Sequence, residues 1–178
     1  GSVVASPAPP GSAVAGAGGG GLAAGESRDT RCRPNQIFAV SLPHSPLTAE
    51  QQRAVVEVVR RELLTPYGLR TLSPSERQYR PTYGGPPAVR DASYHNGTVW
   101  PWLMGPFLDA YLRVSGDTRE AREEARRMLR PLLSTLETGC IGQIAEIFEG
   151  QPPHREVGAP AQAWSVAEVL RLARRLGV

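Results

Sequence analysis

The sequence predicts an all-α fold built from about four main helices, and three observations predict it. Apolar residues recur at three- and four-residue spacing through several long segments. These segments open on helix-capping residues and stop at Pro or Gly. Glu and Arg alternate along their other sides at spacings that pair on a helix surface, whereas no two strand-like runs joined by a hairpin turn stand out.

Residues 1–32 come first. Gly1 to Ser27 hold eight of the 19 glycines, several Ala and Pro, no aromatic residue and one charge. Such a composition buries too little apolar surface to offset the entropy of ordering, so 1–32 is expected to be a flexible Gly/Ala/Pro-rich segment and 33–178 the folded part. A basic start followed by a continuous apolar stretch is missing, so no signal peptide is expected. Arg33-Pro34-Asn35 turns the chain into a short apolar element, Gln36 to Leu42, whose length leaves helix and strand open. Thr48 and Gln51 have the spacing of a capping box. The helix that follows carries Val55, Val56, Val59 and Leu63 inward and Arg53, Glu57, Arg60 and Glu62 outward, and Thr65-Pro66 stops it.

From Thr65 to about His95 the chain has five prolines and no sustained period, which predicts a long loop of the kind that builds sites when ordered. It delivers Tyr67, Tyr79, Tyr83 and Asp91 towards the residues after it. Thr98 is placed to cap the next helix, with Pro101 tolerated in its first turn. Its Trp100, Trp102, Leu103, Met104, Phe107, Leu108, Tyr111 and Leu112 spread around the axis, so it must be covered on most sides. Asp117-Thr118-Arg119-Glu120 opens another helix, with Ala121, Ala125, Met128, Leu129, Leu132, Leu133 and Leu136 on one face. Pro131 should kink it and Gly139 end it. Cys140 to Pro160 is a second long connection. The last helix runs from about Ala161 to Leu176, with Val166, Val169, Leu170, Ala173 and Leu176 facing inward. A buried helix followed by a one-sided helix suits the alternating inner and outer layers of a helical toroid.

Composition excludes several function classes. The net charge of +3 comes wholly from Arg, since the chain has no Lys, and no basic stripe with interleaved aromatics marks a nucleic-acid surface. No run of about 18 apolar residues predicts a membrane span. Cys32 and Cys140 are expected to be free thiols in a reducing cytoplasm. The three His residues lie far apart in sequence, so neither a metal site nor a cofactor is expected.

Tyr94-His95-Asn96-Gly97-Thr98-Val99-Trp100-Pro101-Trp102 concentrates the groups a sugar ring requires. Flat indole faces stack on axial C–H groups, while the imidazole, amide and hydroxyls meet the sugar hydroxyls. Taken with Gln36-Ile37-Phe38-Ala39-Val40-Ser41-Leu42-Pro43, the stretch Gly142 to Gly150 and Ala161 to Glu168, this sequence resembles the C-terminal part of bacterial glycogen-debranching enzymes of the amylo-α-1,6-glucosidase type, within the glucoamylase-like clan. The four motifs occur in the same order, from about Arg33 to the end. The resemblance implies an (α/α)6 barrel of which this chain would be a C-terminal fragment, cytoplasmic location, a glycogen-like branched glucan as partner, and hydrolysis of α-1,6 branch stubs with inversion.

Inverting hydrolysis needs one protonated and one ionised carboxyl group, roughly 6.5 to 9.5 Å apart. The resemblance makes Glu146 the general base. Glu149 is the weaker rival, because relatives carry Asp at its position. The family's general acid is an aspartate upstream of these motifs, so the fragment would lack it; Asp91 precedes the aromatic stretch, but no motif assigns it that role. Position and chemistry make Tyr94, His95, Asn96, Trp100, Trp102, Gln162 and Trp164 the candidate substrate-binding residues. Glu168 recurs in the last motif, either as a site residue or as a helix-face partner of Arg171. Two alternatives stand beside this reading: another (α/α)6 glucan or trehalose hydrolase, and a non-catalytic helical module that binds carbohydrate or packs on a partner.

Overall fold

The structure is a computed structural model and describes residues 29–178. Most of the predicted flexible segment therefore lies outside the described residues. At its end, Cys32 is fully buried, its N–H donates to Glu76 Oε1 at 3.0 Å and its carbonyl accepts from the Ser73 N–H at 3.1 Å. The packed unit thus takes in Cys32 and does not begin at Arg33. Burial pushes the Cys32 thiol up to about 11, so it stays protonated.

Six α-helices occur among the described residues: α1 (Phe38–Ser41), α2 (Ala49–Glu62), α3 (Pro87–Tyr94), α4 (Met104–Val114), α5 (Arg119–Ser134) and α6 (Ala163–Leu176). The apolar run after Arg33 is helical, a 3-10 turn at Pro34–Ile37 leading into α1. α2 starts as its sequence requires. The Gln51 N–H donates to the Thr48 hydroxyl and the Thr48 N–H to Gln51 Oε1, closing the capping box, and Val55, Val56, Val59 and Leu63 are buried. Thr48→Ala should therefore lower stability by about 1 kcal/mol, read as a drop in the urea midpoint.

α4 is central, packing against α1, α2, α5 and α6, and Phe107, Leu108 and Leu112 are fully buried along it. α5 runs through Pro131 to Ser134. An interior Pro costs roughly 3 kcal/mol, and the neighbouring Leu129 and Leu132, each fully buried and each contributing roughly 1.5–3 kcal/mol, offset it. The buried face of α6 is Ser165, Val169, Leu172 and Leu176. Leu170, expected inside, is 60% exposed; the buried face follows the four-, three- and four-residue spacing of Ser165, Val169, Leu172 and Leu176, and Leu170 stands off that stripe.

The all-α expectation needs correction. Five short strands, β1 (Leu64–Thr65), β2 (Gly68–Arg70), β3 (Val99–Trp100), β4 (Ile147–Phe148) and β5 (Glu156–Val157), form one antiparallel sheet in sequence order. Leu69 pairs with Trp100, Val99 with Phe148 and Ile147 with Val157. Strands of two or three residues give no measurable alternation, and β3 and β4 are buried on both sides, so they read as apolar fragments. The loop from Thr65 to His95 is likewise interrupted by β1, β2 and α3. Only Ser93 of α3 is buried, which leaves no apolar stripe to announce a helix.

The sheet positions the site. Because Val99–Trp100 is strand, Thr98 caps no helix; it is buried and its hydroxyl donates to the Tyr94 carbonyl at 2.7 Å. Pro101 opens a 3-10 turn, Pro101–Leu103, and α4 begins only at Met104.

Candidate active site

The site is built at the turn from α3 into β3. The Tyr94 carbonyl, at the end of α3, accepts from the Thr98 hydroxyl and, at 3.1 Å, from Trp100 Nε1. Gly97 crosses directly over the backbone of Arg80. Its φ is +151°, its N–H donates to the Thr71 hydroxyl at 2.9 Å, and a Cβ there would stand 2.4 Å from the Arg80 carbonyl oxygen. From the other side Arg33 donates to the His95 carbonyl at 2.6 Å and to Asn96 Oδ1 at 2.9 Å. The Asn96 amide N–H donates to the Ala92 carbonyl at 2.9 Å, so both ends of this side chain are bonded within the framework.

The aromatic residues converge. His95, Trp100, Trp102 and Trp164 line a pocket of about 230 Å³, together with Asn35, Pro34, Thr71 and Leu103. His95 stacks on Trp100 with ring centroids 5.5 Å apart and planes at 12°, and Trp102 stacks on Trp164 at 5.5 Å and 29°. Trp100 meets Trp164 edge to face at 5.8 Å. Trp164 is 47% exposed, which leaves part of its ring open to a ligand, whereas Trp100 is 5% exposed and forms the wall's interior. Aromatic walls with a few polar groups are suited to a sugar.

Glu146 reaches this wall through Tyr94. It lies just before β4, half-buried, and the Tyr94 hydroxyl donates to its Oε1 in a short hydrogen bond. The Ala159 N–H donates to Oε2 at 3.0 Å, while the Glu146 N–H donates to the Ala159 carbonyl at 2.9 Å. Gly158, with φ +76°, allows this approach: a Cβ there would stand 2.5 Å from Oε2. Tyr94 in turn packs edge to face on Trp100 at 4.9 Å and on His95 at 4.8 Å. Burial first, then the hydrogen bond and charge of Glu146, hold the Tyr94 phenol well above its ordinary pKa, so it remains a donor.

The other carboxylates are differently placed. Glu149 is 8% exposed and both its oxygens accept from Arg155 at 2.9 Å, so it is neutralised by a bidentate pair. Asp91 is exposed on α3, three residues before Tyr94. Glu168 pairs with Arg171 at 2.8 Å, and Arg171 also pairs with Asp109 at 2.7 Å, which makes Glu168 part of an ion-pair chain joining α6 to α4. Gln162 caps nothing with its side chain; its N–H donates to the Ile144 carbonyl at 2.9 Å and so ties the start of α6 to the segment carrying Glu146.

Of the predicted tyrosines, Tyr83 packs on Tyr94 at 5.8 Å, while Tyr79 donates to the Gly150 carbonyl at 2.9 Å and Tyr67 stacks on Phe148 at 4.7 Å. The sequence reading missed Asn35, Thr71, Gly158 and Ala159. Asn35 adjoins the motif at Gln36 and was open to inspection, but Ala159 acts through its backbone and leaves no mark in residue type. Among the described residues no three His, Cys, Asp or Glu side chains gather as a metal site, and no helix is long and apolar enough to cross a membrane.

The sequence model of a family described as amylo-alpha-1,6-glucosidase matches residues 21–171. A protein named glycogen debranching enzyme from Saccharomyces cerevisiae is 33% identical over 89 residues, which cover 47% of this chain and 6% of that protein. The chain therefore spans a small part of the length of this relative. Its aromatic turn, its buttressed glutamate and the extent of the family match lead to one conclusion: the chain belongs to the amylo-alpha-1,6-glucosidase family.

Proposed function

We propose that this chain supplies the base and part of the sugar-binding wall of an enzyme that removes α-1,6-linked glucose stubs from glycogen-like glucans. In this reading Glu146 takes a proton from water as the water oxygen bonds to the anomeric carbon. The bond from that carbon to the leaving O6 breaks on the opposite face, and a protonated carboxyl group delivers a proton to O6. That acid comes from a part of the enzyme outside this chain. α1, α4 and α6, with α2 and α5 behind them, are one flank of an (α/α)6 toroid that the rest of the enzyme closes.

The observation that carries the reading is the combination at Glu146: a carboxylate with no cationic partner among the described residues, gripped by two neutral donors, beside a tryptophan-lined pocket. A base must keep a lone pair free for the proton of water, and two single donors leave one on each oxygen without setting a fixed positive charge against the carboxylate. Glu149, locked to Arg155, does not meet this condition.

One-step inversion at an α-linkage releases β-glucose. The full-length enzyme acting on a phosphorylase limit dextrin should therefore give the β-anomer first, seen by proton NMR before mutarotation. Initial α-glucose would overturn the inverting mechanism.

A further inference from the structure

Tyr94 first reads as a ligand for sugar hydroxyls, yet its hydroxyl is spent inside the protein. We propose that Tyr94 is a positioning residue for Glu146, fixing the plane of the carboxylate and its remaining lone pairs, and not a substrate ligand. The proposal rests on the reading of Glu146 as the base.

A glutamate side chain free to rotate about its last bond presents either oxygen to a water. Here rotation breaks two hydrogen bonds at once, since Oε1 is held by Tyr94 and Oε2 by the Ala159 N–H. Gly158 closes the third side, because its α-carbon stands where any side chain would displace Oε2. Each oxygen keeps one further acceptor direction, which is what a water-activating base needs. Tyr94 is itself immobile. Its carbonyl takes the Thr98 and Trp100 donors, and its ring is wedged between Trp100, His95 and Tyr83. The hydroxyl therefore arrives at a fixed point, and the carboxylate must come to it.

Among the described residues, no other group hydrogen-bonds this carboxylate. The groups facing Glu146 are Tyr94 from α3, with Tyr83 behind it, and the Gly158–Ala159 backbone from the strand side; His95 touches the Tyr94 ring and makes no bond to the carboxylate. Losing the Tyr94 hydroxyl therefore frees Oε1 and lets the carboxylate turn about its last bond.

The test is Tyr94→Phe in the full-length enzyme, with kcat and KM measured separately on limit dextrin. The expected result is a kcat lowered by about 10–100-fold with a KM within about twofold. The Thr98 and Trp100 bonds use the backbone carbonyl and survive the substitution, which a matching circular dichroism spectrum checks. Gly158→Ala, which pushes on Oε2 from the other side, should also lower kcat while sparing KM. A Tyr94→Phe enzyme with raised KM and unchanged kcat, or with no change at all, overturns the positioning role. If Glu146→Gln is fully active, the base assignment itself falls; an inactive Glu146→Gln enzyme leaves that assignment standing whatever Tyr94→Phe does.

Discussion

Glutamine in place of Glu146 should cut glucose release by the full-length enzyme by about 10²–10⁴-fold, with KM for limit dextrin little changed. The substitution is nearly isosteric and suits the local hydrogen bonds. The Ala159 N–H can only donate, so the amide oxygen must turn towards it, leaving the amide NH₂ to face Tyr94. A hydroxyl accepts as readily as it donates, so Tyr94 accommodates the new partner by rotating its proton. The framework therefore stays intact while the proton acceptor is lost. Unchanged turnover would remove Glu146 from the chemistry, and unfolding, seen by circular dichroism, would show that the carboxylate is structural.

The second large effect is expected at Gly97→Ala. The φ of +151° belongs to a region L side chains rarely adopt, which alone costs about 1–3 kcal/mol. The new Cβ would also stand 2.4 Å from the Arg80 carbonyl oxygen and 2.6 Å from its carbon. Those are backbone atoms, pinned by the Arg80 N–H donating to the Asn96 carbonyl at 2.6 Å, so they cannot swing aside as a flexible side chain would. Strain and overpacking together make about 3 kcal/mol or more, a large share of ordinary domain stability. Urea unfolding followed by tryptophan fluorescence should show a clearly lowered midpoint, and the native baseline should change because Trp100 follows the turn. A wild-type midpoint and baseline would contradict the crossing of Gly97 over Arg80.

The helices were legible because their signals are local. Thr48 and Gln51 announce the start of α2, and the spacing of Val55, Val56 and Val59 announces its face. α5 is as plain, its Ala121, Ala125, Leu129 and Leu132 buried as their period requires. The strands were not legible, because a two-residue strand is defined by its partner: Val99 is strand only since Phe148 lies opposite. α3 escaped for the reverse reason, having no apolar face to bury. Around the pocket, the tryptophans announced a flat aromatic surface, and they line one pocket together. What stayed hidden were roles set by geometry. Asn96 has the chemistry of a sugar ligand but is consumed by Arg33 and Ala92, and Ala159 has no side-chain chemistry yet holds the carboxylate.

Glu146 and Tyr94 are 52 residues apart in the chain, with α4 and α5 between them. The pairing of β3 with β4 brings them together, and such distant pairings close late because the intervening loop entropy must be overcome first. During synthesis, a nascent chain that ends before Ile147 can already form the turn with Trp100 and Trp102 and pack α4 on α1, α2 and α5, yet it lacks α6, Trp164 and the Ala159 grip on the glutamate. The stack of His95 on Trp100 is thus an early product of folding, and the stack of Trp102 on Trp164 and the carboxylate cradle are late ones. Ribosome-bound chains of increasing length should pass through a stage in which Trp100 is already partly shielded but the site is not assembled.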